Sequence, residues 1–115
     1  MKNRKKIHDN WKTPDYLLKL IRKEFGDFYD PCPINATFDG LKTEWRKVNY
    51  INPPYNLKDK TAFVKKAVYE ASQGKRCILL LPVATDTKLF IDLLNYAHEI
   101  RFLHKRVCFE GYNSK

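Results

Sequence analysis

The sequence predicts an α/β fold, because patterns typical of helices and of strands alternate along nearly its whole length. A continuous apolar run at 77–82 is typical of a parallel strand that is buried on both faces. Amphipathic segments flank this run, in the positions that crossover helices occupy in parallel sheets. These observations favour a Rossmann-like domain, a minimal three-layer α/β/α arrangement around a mostly parallel sheet.

Three helices are predicted from apolar side chains that recur every three or four residues. Their expected spans are 14–25, 63–71 and 89–97. Thr13 and Pro14 are typical of a helix start, in which an N-cap residue precedes proline at the first helical position. Thr85 or Asp86 is the expected cap of the third helix. Glycines that follow the first two helices are expected to end them.

Five strands are predicted from short extended or apolar patterns. They are expected at 27–30, 48–52, 77–82, 100–103 and 106–109. The first three end at Asp30, Asn52 and Pro82. Because ligands bind beyond the carboxyl ends of the strands in open α/β sheets, we expect these three residues to rim one crevice.

The composition is that of an ordinary globular protein, with 43% apolar and 30% charged residues. Twenty-two lysines and arginines against 13 acidic residues give a formal net charge of +9. Such a surface favours a polyanionic partner, because basic side chains neutralise phosphates and release counterions. Residues 1–10 are expected to form a flexible basic arm, and residues 11–115 a single domain.

Targeting signals and metal motifs are not evident in the sequence. No apolar run approaches the ~20 residues of a membrane helix, and no apolar segment of a secretory signal follows the basic N-terminus. A cytoplasmic location without membrane contact is therefore expected. Cys32, Cys77 and Cys108 are odd in number and widely spaced, which favours reduced thiols over disulfides or zinc ligation. The histidines lack ligand spacing, so no metal is expected.

The most informative segment is Asn52-Pro53-Pro54-Tyr55, which we call the catalytic corner. Two prolines cannot donate ladder hydrogen bonds, so the strand must end there. The side-chain and backbone carbonyls of Asn52 are two acceptors that suit an exocyclic amino group, and Tyr55 offers a flat face on which a base can stack. This combination fits an adenine N6 amino group, which must be flipped out of a duplex to reach such a site.

The corner resembles the (D/N/S)-P-P-(Y/F/W) motif of amino-group methyltransferases that use S-adenosylmethionine. Further motifs surround it in order: Trp-x-Thr-Pro at 11–14, Asp-Pro-Cys at 30–32, Asp-Gly-Leu at 39–41 and Leu-Leu-Pro-x-x-x-Asp-Thr at 80–87. With them, the chain resembles the phage-type Dam-like DNA N6-adenine methyltransferase family from about residue 11 to residue 109. The resemblance implies a Rossmann-like methyltransferase that acts on DNA in a bacterial or virus-infected cell.

The resemblance also implies roles for individual residues. The catalytic set is Asn52, Pro53, Pro54 and Tyr55. Residues that match cofactor-binding positions are Trp11, Thr13 and Pro14 in an amino-terminal element that closes over the cofactor, Asp30, Pro31 and Cys32 at its methionine moiety, Asp39 at its adenine or ribose, and Asn52. Independently of the resemblance, positive charge makes candidates for phosphate contacts of Lys2, Arg4, Lys5, Lys6, Arg101, Lys105 and Arg106. Loops at 56–61 and 104–115 are candidates for recognition of the target sequence.

Several alternatives stay open at this stage. Asp30 and Asp39 fit turn positions, Trp11 fits a packing role, and the basic residues fit a solvated face. Trp45 is expected in the core rather than in the site. The same corner would also serve an RNA adenine or a protein glutamine methyltransferase.

The chain departs from the family pattern in two ways, and the second favours a further alternative, which the intact Asn52–Tyr55 and Asp30 oppose. No Gly-x-Gly follows the first strand, and the chain ends before the strand that completes the sheet in relatives. The alternative is a catalytically inactive or partner-dependent subunit that binds nucleic acid. A homodimer or a completing partner chain would then cover the open sheet edge.

Overall fold

In a computed structural model of the protein, residues 12–82 and 88–103 are described. Their centre is a parallel sheet of β1 (Val48–Ile51) and β2 (Arg76–Leu79). The register pairs Val48 with Arg76 and continues to Ile51 opposite Leu79. On the other side of β1, Tyr29 forms a single parallel bridge with Asn49. β1 is therefore the middle of three parallel segments, and its last three residues are at most 1% exposed.

In the described ranges, three α-helices and one short 3₁₀ helix accompany the sheet. They are α1 (Asp15–Phe25), the 3₁₀ helix (Gly40–Lys42), α2 (Leu57–Ser72) and α3 (Lys88–Tyr96). α2 buries Phe63, Val64 and Ala67 and packs on β2 as the crossover between the two strands. The result is a small α/β unit that is compatible with a methyltransferase-like fold, while the full three-layer arrangement stays a prediction.

The largest side chain of the core belongs to Trp45, which is 1% exposed, as the sequence predicted. It packs in a cluster with Cys32, Ile51, Phe63 and Ala67. Its indole Nε1 donates a 2.9 Å hydrogen bond to the carbonyl oxygen of Gly40, so the one polar atom of the ring is satisfied.

A buried carboxylate, that of Glu70, lies beside this core and is paired with two lysines. The Glu70 side chain is 7% exposed and forms ion pairs with Lys75 at 2.7 Å and with Lys66 at 3.0 Å. Lys75 Nζ also donates to the carbonyl oxygen of Trp45 at 2.9 Å. The hydrogen bond from Lys75 is the main reason that the pKa of Glu70 is lowered.

Asn49 is fully buried in β1, and its side-chain amide acts as a substitute peptide group. Its Oδ1 accepts the N–H of Arg46 and its Nδ2 donates to the Arg46 carbonyl, both at 2.8 Å. Nδ2 also lies 3.3 Å from the carbonyl oxygen of Arg76. One side chain thus ties the segment before β1 to the start of β2, at the amino ends of both strands.

The predicted strands are shortened or absent where partners are missing. The strand expected at 27–30 is only the Tyr29 bridge, because Pro31 has no N–H and the next one, on Cys32, is taken by the Asp30 side chain at 2.9 Å. The run at 77–82 is partly exposed, since among the described residues β2 has a neighbour on one side only. The strand expected at 100–103 is wrong: these residues are exposed and unpaired with the sheet. The strand at 106–109 lies outside the described residues.

The predicted helices are confirmed in position, with different starts. α1 begins at Asp15 after Pro14, and no side chain caps it. α2 begins six residues before Phe63, so the loop expected at 56–61 is wrong: Asn56 caps the helix by accepting the Asp59 N–H at 2.9 Å. The predicted caps of α3 at 85 and 86 lie in the segment that the structure does not describe.

Candidate active site

The catalytic corner follows β1 at the carboxyl edge of the sheet. The carbonyl of Ile51 still accepts the N–H of Leu80 at 3.0 Å, which completes the pairing with the neighbouring segment. Asn52 and Pro53 are buried, and Pro54 and Tyr55 are half-buried. Asp30 follows the bridge residue of the adjacent segment, so Asp30 and Asn52 leave neighbouring parallel segments at the same edge, as predicted.

The Asn52 side chain bonds to the buried hydroxyl of Thr13, which in turn bonds to the buried hydroxyl of Tyr50. Its Nδ2 donates to Thr13 Oγ1 at 3.3 Å, and Thr13 Oγ1 lies 2.7 Å from the Tyr50 hydroxyl. Thr13, Tyr50 and Asn52 are 5%, 1% and 7% exposed. The Tyr50 ring packs on Phe28 with ring centres 5.3 Å apart. We call the side chains of Thr13, Tyr50 and Asn52 the Asn52 triad.

Thr13 therefore does not cap α1, although the sequence favoured that role. Its hydroxyl is engaged by residues that lie 37 and 39 positions further along the chain. The Pro14 carbonyl accepts the first amide hydrogen bonds of the helix instead, from Leu17 and Leu18. The Thr13 side chain thus contacts Tyr50 and Asn52 and does not cap the helix.

A groove of about 630 Å³ runs beside the corner. Its volume falls in the range of small-molecule sites. Pro31, Cys32 and Asp39, predicted to bind the cofactor, line it together with Pro54 of the corner. Apolar walls come from Phe38, Leu41 and Phe63, and Asp59 adds a carboxylate.

The floor of the groove depends on a close backbone approach at Gly40. A Cβ atom at this position would overlap the carbonyl oxygen of Pro31 and lie 2.7 Å from its carbonyl carbon. Asp39 caps the 3₁₀ helix by accepting the Leu41 N–H at 3.0 Å. Asp39 therefore has the turn role that the sequence left open and also lines the groove.

Burial dominates the electrostatics of the 30–32 segment. It raises the pKa of the Asp30 carboxyl, an effect that the hydrogen bond from the Cys32 N–H partly offsets. Burial and the nearby Asp30 charge raise the pKa of the Cys32 thiol to about 12. Burial likewise raises the pKa of Cys77, so both thiols are protonated at neutral pH.

One of the predicted phosphate-contacting residues, Arg101, lies in the described part of the chain. It donates to Glu24 at 2.6 Å and to Glu99 at 2.7 Å, and its guanidinium lies 5.7 Å from the centre of the Phe25 ring. Contact with DNA would require it to share or break these ion pairs, so that role stays a prediction. The others, and Trp11, lie outside the described residues: Lys2, Arg4, Lys5, Lys6, Lys105 and Arg106.

Tyr50 is the member of the Asn52 triad that the sequence analysis missed. Side chains two residues apart on a strand point to the same face, so Tyr50 was placed to reach the surroundings of Asn52. That spacing was the available signal.

Within residues 12–82 and 88–103, no group of three His, Cys, Asp or Glu side chains could hold a metal ion. In the same ranges, no helix has the length and apolar character needed to cross a membrane.

The parallel sheet, with a buried strand-end amide, a Pro-Pro corner and a groove at its carboxyl edge, belongs to a small α/β unit that is compatible with a methyltransferase-like fold. The chain belongs to the DNA N-6-adenine-methyltransferase (Dam) family, whose model matches residues 1–114. This confirms the resemblance drawn from the sequence motifs and supports, in general terms, a DNA adenine methyltransferase function. No curated protein and no solved structure matches the chain significantly.

Proposed function

We propose that this protein transfers the methyl group of S-adenosylmethionine to the N6 amino group of adenine in DNA, with Asn52-Pro53-Pro54-Tyr55 as its catalytic corner. The observation that carries the proposal is the buried Asn52 amide at the end of β1, held by Thr13 beside a ligand-sized groove in a chain of the Dam family. The net charge of +9 suits a polyanionic substrate.

The groove suits the chemistry of the cofactor. Its apolar walls at Phe38, Leu41 and Phe63 match an adenine ring, and the carboxylate of Asp39 matches a ribose. Asp30 does not line the groove but directly precedes Pro31, which does, and its carboxylate matches a positively charged methionine moiety. Pro31 and Cys32 connect these two regions. When bound, S-adenosylmethionine supplies an electrophilic methyl group: the new N6–C bond forms as the C–S bond breaks, and S-adenosylhomocysteine leaves.

The chain's own residues bind and polarise the target base. Asn52 Oδ1 and the Asn52 backbone carbonyl accept hydrogen bonds from the two N6 hydrogens and stabilise the positive charge that develops on nitrogen. Pro53 and Pro54 fix the backbone at the strand end, and Tyr55 stacks on the flipped base. One N6 proton then passes to solvent, so that the product is neutral N6-methyladenine.

The test is methyl transfer from labelled S-adenosylmethionine to unmethylated DNA, with Asn52→Ala and Asn56→Ala as matched variants. Asn56→Ala removes an exposed helix cap four residues away, so it is expected to lower stability by about 1 kcal/mol and to retain turnover. Asn52→Ala is expected to lower kcat by roughly 10²- to 10³-fold in a folded protein. Turnover of Asn52→Ala equal to that of the wild type would contradict the mechanism.

Parallel substrates separate this proposal from its rivals. Transfer to RNA or to a protein glutamine amide, and not to DNA, would assign the same corner to another amino group. Bound S-adenosylmethionine without transfer to any of them would instead favour a partner-dependent or inactive subunit that binds nucleic acid.

A further inference from the structure

Asparagine presents a specific difficulty as a catalytic acceptor, because the two ends of its amide have nearly the same shape and opposite roles. Oδ1 accepts a hydrogen bond, whereas Nδ2 donates one. If Nδ2 faced the N6 amino group, two donors would oppose each other and the developing positive charge would be destabilised. The proposed reaction therefore requires that one orientation of Asn52 be selected before the base arrives.

We propose that Thr13 and Tyr50 are positioning residues that select this orientation of Asn52. This inference rests on the proposed methyltransferase function and assigns to Thr13 a role other than the cofactor contact that the family resemblance implies. The Asn52 triad provides the geometry: Nδ2 donates to Thr13 Oγ1 at 3.3 Å, which places Oδ1 on the side of the amide away from Thr13.

The Tyr50 hydroxyl orients the Thr13 hydroxyl through a hydrogen bond. Their oxygens lie 2.7 Å apart, and in the proposed arrangement Thr13 donates to Tyr50, so that the lone pairs of Thr13 Oγ1 face Asn52 and accept from Nδ2. Burial raises the pKa of Tyr50, so its phenol keeps its proton at neutral pH. The ring itself is held against Phe28, with ring centres 5.3 Å apart.

Burial gives this arrangement its selectivity. All three side chains are at most 7% exposed, so water cannot readily replace Thr13 as the partner of Nδ2. While Thr13 donates its proton to Tyr50, a flipped amide would set Oδ1 against the lone pairs of Thr13 Oγ1 and take Nδ2 away from that acceptor. A buried polar group that loses its partner costs about 1–3 kcal/mol. The triad therefore holds Oδ1 on the opposite side throughout turnover.

The decisive test is a double-mutant cycle of Thr13→Val with Asn52→Asp. A carboxylate has two equivalent acceptor oxygens and no amide to orient, and aspartate occupies this position in the motif that the corner resembles. In the Asn52 protein, Thr13→Val is expected to lower kcat roughly 10- to 100-fold, with KM for DNA and the Kd for S-adenosylmethionine within about twofold of wild type. In the Asn52→Asp protein, Thr13→Val is expected to lower kcat by a factor of about three or less.

Two further variants separate the hydroxyl from packing. Thr13→Ser keeps the hydroxyl and is expected to restore most of the activity, whereas Tyr50→Phe keeps the ring and is expected to lower kcat by a smaller factor than Thr13→Val. An equal loss from Thr13→Val in both backgrounds would overturn the orienting role. A weaker S-adenosylmethionine affinity with unchanged kcat would assign Thr13 to cofactor binding instead.

A measurement without turnover keeps this inference distinct from the proposed function. Hydrogen exchange of the Asn52 side-chain amide, followed by NMR, is expected to be slow in the wild type and fast in Thr13→Val, with the exposed Asn56 amide as the reference. If the wild type transfers no methyl group and this difference is present, the function fails and the orientation stands. If the Asn52 amide exchanges equally fast in both proteins, the orienting role is refuted even in an active enzyme.

Discussion

Replacing Gly40 by alanine tests whether the close approach of Gly40 to Pro31 stabilises the fold and shapes the groove. In Gly40→Ala the new Cβ would overlap the Pro31 carbonyl oxygen and lie 2.7 Å from its carbon, where ordinary contacts begin at 3.4 Å. Both obstacles are backbone atoms, so no side-chain rotation relieves them. The 30–32 segment or the 3₁₀ helix must therefore move by more than an ångström.

The size of the effect follows from overpacking. Extra methyl groups forced into packed regions cost typically 1–3 kcal/mol, and a clash between two backbone segments belongs at the upper end, about 3 kcal/mol. For a chain of this length, that corresponds to a fall in Tm of roughly 12 °C. Because Pro31 and Cys32 line the groove, we also expect S-adenosylmethionine to bind roughly tenfold more weakly, or ~1.4 kcal/mol.

Gly74→Ala is the matched control. Gly74 has φ 93°, so an alanine there is strained, but nothing lies within 4 Å of the added Cβ. We expect a loss of about 1 kcal/mol and unchanged cofactor affinity. Tm is measured by circular dichroism, and affinity by calorimetry at a temperature at which both variants are folded. If Gly40→Ala matched Gly74→Ala in both measurements, the close approach would not shape the groove.

Three further predictions concern charge and stacking at the site and the core. Asp30, whose pKa is raised by burial, is expected to attract a cationic cofactor only when ionised, so affinity measured by calorimetry should fall as pH drops through that raised pKa and vary less in Asp30→Asn. The hydrogen bond from Lys75 lowers the pKa of Glu70, so ionised Glu70 stabilises the fold fully at pH values above its ordinary pKa of 4.5, and this stabilisation is lost as the pH falls through the lowered pKa. The free energy of unfolding in urea should therefore depend less on acidic pH in Glu70→Gln than in the wild type. Tyr55→Ala is expected to raise KM for DNA roughly tenfold with the Kd for S-adenosylmethionine unchanged, whereas a loss confined to cofactor affinity would contradict base stacking.

The sequence predicted correctly those elements that show a regular repeat of apolar residues. The apolar face at 63–71 identified α2, and Trp45 was placed in the core, where it is 1% exposed. The polar first turns of α2 carry no apolar period, so its start was missed. The signal present was a cap: Asn56 bonds both the N–H and the carboxylate of Asp59.

Long-range contacts decided what the patterns could not predict. Thr13 has the sequence of an N-cap, but its hydroxyl bonds to Tyr50 and Asn52. The residues at 100–103 have the apolar and aromatic character of a strand, yet Arg101 is drawn to Glu24 at the end of α1. In both cases a partner distant in sequence competed with the local preference.

The corner and its flanking motifs predicted the meeting of Asp30 with Asn52 at one sheet edge, because strand ends in parallel sheets are adjacent. The groove beside them could not be derived in this way. It depends on the approach of Gly40 to Pro31 and on the Trp45 hydrogen bond to Gly40, which are properties of packing rather than of periodicity.

The buried Asn49 amide has a consequence for which parts of this protein can change during evolution. Because it satisfies both backbone groups of Arg46 and reaches the start of β2, the amino ends of the strands are joined by one residue whose paired donor and acceptor no side chain of the same shape supplies. A leucine there would leave the Arg46 groups to find other partners, and an aspartate would oppose a carbonyl. Substitutions that alter substrate preference can therefore accumulate at the opposite edge without loosening the strand pairing that supports it.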